Sequence, residues 1–232
     1  MSLKITLRKI ELYDLPQIAC VHMSSFPASV LTRLGRKVVE RYYHWQLTGP
    51  HPKIWAIGAY DGDSCAGFLF GGVFSDSTSG FVANNKILLS TEVLRRPRLL
   101  SQLGIYEKIR LGAKMIAHHK HTQKTDRKQQ EFTQAAPKNS SFGVLAIGVS
   151  ATSQKMGIGQ QLMSHAENEA VRCGFEQMDL TVHPENLKAV SFYEKLNWER
   201  VFTNGKWDGV MIKKLVNKNA GSREIRSEIV KV

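Results

Sequence analysis

Residues 149–170 read VSATSQKMGIGQQLMSHAENEA. A Ser/Thr-rich turn with two glycines, Gly157 and Gly159, follows an apolar run and leads into residues of helical periodicity. The run before it, FGVLAIGV (142–149), has the length of a strand. After it, Ile158, Leu162, His165, Ala166, Ala170 and Val171 mark the inner face of a helix over 157–173. The glycines therefore sit where a strand becomes a helix. The first turn of a helix leaves four backbone N–H groups without partners and carries the positive end of the helix dipole. Glycine there lets the backbone approach an anion closely, so a diphosphate is a natural ligand. An ordinary tight turn would use the same residues. The loop is not a P-loop, because no G-K-[ST] follows, and it is not G-x-G-x-x-G, because Leu162 stands where the third glycine belongs.

Downstream, QMDLTVH (177–183) alternates as a strand, and NLKAVSFYEKLN (186–197) is a short helix entered from HPEN. WERVFTNGKWDGVMIKKLV (198–216) gives two strands around the turn at Asn204-Gly205. Upstream, KITLRKIEL (4–12) reads as a strand. LPQIACVHMSSF (15–26) and SVLTRLGRKVVERYYHWQLTG (29–49) read as helices, with Cys20 in the core. WAIGAY (55–60), the turn DGDS (61–64) and CAGFLFGGV (65–73) form a hairpin. SDSTSGFVANNK (75–86) is loop-like, residues 87–117 read as a helix in two pieces broken at Pro97, and the basic stretch 118–140 reads as a connection. A hairpin followed by strand–helix–strand–helix is one α/β domain with a mixed sheet. It is expected over 1–217, with an insertion at about 74–140 and a polar tail at 218–232.

The formal charge of +12 points to an anionic partner: nucleic acid, an acidic membrane surface, or an anionic cofactor or substrate. The charge is concentrated in 114–138, where six Lys/Arg face only Asp126 and Glu131. That stretch lacks regular aromatic interleaving, a zinc pattern or a helix-turn-helix, which makes a nucleic-acid-binding module the weaker reading. Three widely spaced cysteines, Cys20, Cys65 and Cys173, make no disulfide framework. His118, His119 and His121 have no carboxylate or cysteine partner at ligand spacing, so no metal is expected. The absence of an 18-residue apolar run or an apolar leader gives the expectation of a cytoplasmic protein without a membrane span.

Two segments together resemble the GCN5-related N-acetyltransferase (GNAT) superfamily. Its cofactor motif Q/R-x-x-G-x-G/A is met by Gln154, Gly157 and Gly159. Its later motif, N-x-x-A-x-x-F-Y-E-K-x-G-F, is met by Asn186, Ala189, Phe192, Tyr193, Glu194 and Lys195. The usual proline after the cofactor strand is Ala151, and the closing G-F is Asn197-Trp198. Asn tolerates left-handed backbone angles, and Trp keeps an aromatic plug. The resemblance covers 142–201 by motif and 4–73 by order of elements; 74–140 lies outside it. It implies an acyl-CoA N-acyltransferase fold, with a mixed central sheet splayed between two parallel strands and a largely helical insertion.

The resemblance also implies roles. Acetyl-CoA would lie in a V between 142–149 and 177–183, with the backbone of Ile147, Gly148 and Val149 pairing with the pantetheine. The amides of Gln154, Lys155, Met156, Gly157, Ile158, Gly159 and Gln160 would hold the diphosphate. Asn186 would touch the pantetheine arm or fix the loop below it. Tyr193 would act as acid near the sulfur, its alternative being a core tyrosine. The cofactor strand offers no glutamate, so the base is relayed water or, failing that, His183. Transfer from acetyl-CoA to a primary amine by direct attack is expected, the acceptor being a small molecule such as an amino sugar or its nucleotide conjugate. SFPASVLTRLGRKVVERYYHW (25–45) also resembles a subgroup of bacterial acetyltransferases linked to surface-polysaccharide or small-molecule metabolism. A protein N-terminal or lysine acetyltransferase and a non-catalytic coenzyme A sensor are the alternatives, and a homodimer is common in such folds.

Overall fold

The structure, a computed structural model, describes residues 4–74, 76–96 and 141–215. The expectations for Pro97, for the basic stretch with its three histidines and for the tail at 218–232 lie outside the described residues. Seven strands form one sheet: β1 Ile5–Lys9, β2 Lys53–Asp61, β3 Ser64–Val73, β4 Phe142–Val149, β5 Gln177–Thr181, β6 Glu199–Thr203 and β7 Lys206–Lys214, in the order β1-β2-β3-β4-β5-β7-β6. Every neighbouring pair is antiparallel except β4 and β5, which are parallel. The helices are α1 Leu15–Ser25, α2 Val30–Leu34, α3 Arg36–Thr48, α4 Ser79–Asn84, α5 Lys86–Leu94, α6 Ile158–Arg172 and α7 Leu187–Lys195. This is the mixed α/β architecture expected.

Two cores lie on opposite faces of the sheet. One gathers Ile158, Leu162, Met163, Ala166 and Ala170 of α6 and Val190 and Tyr193 of α7 against Phe142, Val144, Met178 and Leu180. The other packs α1 and α3, through Ile18, Val39 and Tyr43, against Tyr60, Phe68 and Phe70. A clamp fixes the first strand to the first helix. The Arg8 guanidinium makes two hydrogen bonds to buried Asp14, at 2.8 and 2.7 Å, and stacks 3.8 Å over the Tyr60 ring.

Several local expectations change. The helix expected over 29–49 is two helices broken at Gly35, whose φ of 97° no helix interior admits. Part of the loop expected at 75–86 is helix α4, which places Phe81 in the second core. Cys20 is exposed, because α1 buries Leu15, Ile18, Ala19, Val21 and His22 and so turns Cys20 outward. His165 likewise faces solvent, and Met163 takes the core position instead.

Candidate active site

The parallel strands part after three residue pairs. Phe142 pairs with Met178, Gly143 with Asp179 and Val144 with Leu180, and no pair follows. Each strand stays with its other neighbour. β4 keeps its ladder to β3 as far as the Val149–Gly67 pair, and β5 keeps β7 through Thr181–Val210, continued by the Val182 N–H to Gly209 O bond of 2.9 Å. The two ladders pull the strands apart into a V. From Leu145 to Val149, the β4 edge facing β5 has no strand partner. A part-buried edge of this kind leaves its amides and carbonyls to be met by a ligand or water.

A bulge opens the V. Phe70 pairs with Ala146 and Gly71 with Val144, so Leu145 is an extra residue in β4. Such an insertion bends the strand and re-aims the backbone. Nothing in FGVLAIGV announces it.

At the mouth of the V lies the glycine loop. A short 3-10 turn, Ala151–Ser153, ends β4, and Gln154 returns its side-chain N–H to Val149 O at 3.3 Å. The Ser153 N–H bonds Ser150 O, and the next backbone amide to find a carbonyl is that of Gln161, on Gly157 O. Among the described residues, the amides from Lys155 to Gln160 therefore have no backbone acceptor. Lys155 and Gly157 both have positive φ, 65° and 76°. A non-glycine residue held there stores strain of about 1 kcal/mol. Left-handed residues alternating with ordinary ones curl successive N–H groups into a concave anion nest. A Cβ on Gly157 would meet nothing within 4 Å, so its role is conformational, whereas one on Gly159 would come within 3.3 Å of the Phe192 ring. The two motif glycines thus serve different needs, one the loop and the other the packing of α6 on α7.

The second motif builds the other wall. Asn186 caps α7, its side-chain oxygen accepting the Ala189 N–H at 3.2 Å, and its amide N–H₂ has no acceptor among the described residues. Tyr193 is buried beside Phe192 and Trp198, in the core against which Ile147 and Val149 pack. Burial pushes its phenol up to about 12. Asn197 takes the left-handed angle expected of it, φ 63°, and Trp198 is buried as the plug. His183 lies two residues past the end of β5 rather than ending that strand, and it is exposed. Its Nδ1 accepts the Glu185 N–H at 3.4 Å. Among the described residues no group of three His, Cys, Asp or Glu is placed to hold a metal ion. A groove of about 420 Å³ runs from the glycine loop along α6 to Leu7 of β1, lined by Gly157, Gln160, Gln161, Ser164 and Asn168. It shares Gly157 and Gln160 with the loop at the mouth of the V and holds none of the second-motif residues.

The model of the acetyltransferase (GNAT) family matches residues 124–198, the span that holds β4, the glycine loop, α6, β5 and α7. Over that span the chain is similar to the GNAT acetyltransferases. No curated protein matches its sequence. Among solved structures, the chain is similar to the PaiA N-acetyltransferase of Thermoplasma acidophilum in complex with coenzyme A, at 15% identity and TM-score 0.53, over 92% of this chain and 99% of that one. It is also similar to a protein of Pyrococcus horikoshii, at 16% identity and TM-score 0.54 over 92% and 99% of the two chains. An acetyltransferase of Thermus thermophilus aligns at 14% identity and TM-score 0.52, over 93% of this chain and 100% of that one. At these identities the likeness is one of fold. Together they account for a GNAT sheet with its V between the fourth and fifth strands.

Sequence reading missed what the other face of the sheet brings to this site. The end of α1 sits on β4, the Ser25 hydroxyl donating to Val149 O at 3.0 Å. These residues are 124 positions apart. The only local hint was a cluster of small polar residues after the α1 apolar pattern.

Proposed function

We propose that the chain transfers an acetyl group from acetyl-CoA to the primary amine of a small molecule, an amino sugar or its nucleotide conjugate. The observation that carries this reading is the V, unpaired along β4 from Leu145 to Val149, with the acceptor-free amides of Lys155 to Gln160 at its mouth. An extended amide-bearing arm ending in a diphosphate suits that pairing of features. When bound, acetyl-CoA supplies an acyl group activated as a thioester.

The chain's residues supply the rest. The backbone of Ile147 to Val149 extends the sheet by one more strand along the pantetheine. The amides from Gln154 to Gln160, with the Lys155 charge beside them, hold the diphosphate. Asn186 orders the loop under the arm through its cap and offers its amide N–H₂ to it. Tyr193 donates a hydrogen bond at the sulfur. A thiol titrates near 8.5, so full proton transfer from a phenol at about 12 would run uphill. Tyr193 therefore steadies the leaving sulfur rather than protonating it outright. The acceptor must arrive as neutral amine, and its proton leaves through water. His183 is the alternative base, but with Nδ1 engaged by Glu185 its neutral form carries the proton on Nε2.

Thiol release from acetyl-CoA should be followed against amino sugars, their nucleotide conjugates, polyamines and short peptides. Turnover confined to the sugar amines supports the proposed acceptor. Turnover confined to peptides replaces it with the protein-acetylating alternative, and none on any amine removes the enzyme reading.

A further inference from the structure

The end of α1 is held by a hydrogen-bond chain that the roles above leave unused. His22 is buried, at 6% exposure. Its Nδ1 lies 2.8 Å from the Tyr43 hydroxyl of α3, and its Nε2 lies 3.2 Å from Ser29 Oγ. Ser29 donates to Thr32 Oγ1 at 2.9 Å and accepts the Thr32 N–H at 3.1 Å, capping α2. One set of proton positions satisfies every group. Tyr43 donates to Nδ1, Nε2–H donates to Ser29, and Ser29 donates to Thr32; this tautomer is assigned from the network. One turn beyond His22, Ser25 bonds Val149 O. Gly148 makes that approach possible, since a Cβ there would come within 2.8 Å of Phe68 Cε1 and 3.2 Å of Ser25 Oγ. The segment from Ser25 to Ser29 is thus pinned at one end to the last residue of the cofactor strand and at the other to the core.

The placement gives the segment a function. The glycine loop opens at the N-terminus of α6, on one face of the sheet, while α1 and α3 cover the other. An amine approaching the V from the face that α1 and α3 cover would meet residues 25–29, which Ser25 holds against Val149. We propose that His22 is a positioning residue for the acceptor amine, its bridge between Tyr43 and Ser29 fixing residues 25–29 as the wall against which the acceptor docks. This rests on the acetyltransferase reading above. His22 is not itself the base: Nδ1 is filled by Tyr43, Nε2 already carries a proton, and burial lowers its affinity for a second one.

The test is steady-state kinetics with acceptor and acetyl-CoA varied separately, on the full chain. An Asn amide reaches only as far as Nδ1, whereas a Gln amide reaches Nε2, so His22→Asn breaks the bridge to Ser29 and His22→Gln keeps it. His22→Asn should raise the acceptor KM about ten-fold, the factor for one hydrogen bond lost from a docking wall, with kcat and acetyl-CoA KM within about two-fold. His22→Gln should stay within about three-fold of wild type throughout, in line with a retained bond. Ser29→Ala cuts the bridge from its other end and should reproduce the His22→Asn pattern, which keeps the test available if one variant folds poorly. An acceptor KM that does not move, equal effects of Asn and Gln, or a parallel rise in acetyl-CoA KM overturns the proposal. With wild-type turnover intact, such a result leaves the acetyltransferase reading standing. A wild type that acetylates no amine overturns both.

Discussion

At Gly157 the backbone stands at φ 76° and the space around a would-be Cβ is empty, so a side chain there is opposed by conformation and not by collision. Gly157→Ala should cost about 1 kcal/mol of stability. It should also weaken coenzyme A binding, because the strain is relieved most easily by turning the neighbouring amides out of the nest. Denaturant titration and calorimetry read the two effects separately. Unchanged affinity with lowered stability would mean that the loop is only a turn. Tyr193 offers a different contrast. Its hydroxyl has no hydrogen-bond partner among the described residues, so Tyr193→Phe should leave the melting temperature nearly unchanged. It should lower kcat by about ten-fold, the scale of one hydrogen bond at the sulfur. Because burial holds the phenol up at about 12, the pH–rate profiles of wild type and Tyr193→Phe should run parallel between pH 6 and 10. A basic limb lost in the variant would show that Tyr193 titrates in the working range.

At the scale of elements, two buried groups join elements and set separate pH windows, His22 linking α1 to α3 and Asp14 linking the start of α1 to β1. Desolvation lowers the His22 imidazole from 6.5 to about 4. The unfolded chain then takes up the proton first. The stability from His22 is complete above about pH 6.5 and falls as the pH drops toward 4, by at most about 1.4 kcal/mol per pH unit. Burial alone would raise the Asp14 carboxyl, but the Arg8 guanidinium and the Glu11 amide outweigh it and hold it below 3.8, so its contribution is lost only under more acid conditions. Urea midpoints should fall in two stages, and His22→Gln should flatten the first alone. A first stage that survives in His22→Gln would contradict the assignment. Most element types and the order of elements were legible in the sequence, because period-2 and period-3.6 patterns are local. The exceptions have physical reasons. Gly35 was read inside one helix because a single glycine is tolerated in a helix, and only the 97° φ makes it a break. The Leu145 bulge leaves no residue-type signature, being defined by registers against β3. Cys20 and His165 were placed on inner faces by approximate spacing, and the packing of α1 and α6 turned both outward.

Across the whole molecule, the site arises from two ladders that disagree. β4 follows β3, β5 follows β7, and the sheet opens between them. The two motifs placed the candidate cofactor side in the sequence because each is a contiguous strand-to-helix junction. The α1 face was not legible, since Ser25 and Val149, or His22 and Tyr43, meet only in the folded chain. The +12 charge suits a diphosphate-bearing ligand, and coenzyme A binding should accordingly weaken as salt is raised. The most direct test of the V and its loop is hydrogen exchange of the full chain with and without coenzyme A. Protection should appear on binding in residues 155–160, whose amides lack a backbone acceptor, and in those amides of 145–149 that face away from β3. Binding that leaves both segments exchanging as before, or no binding at all, would contradict the account.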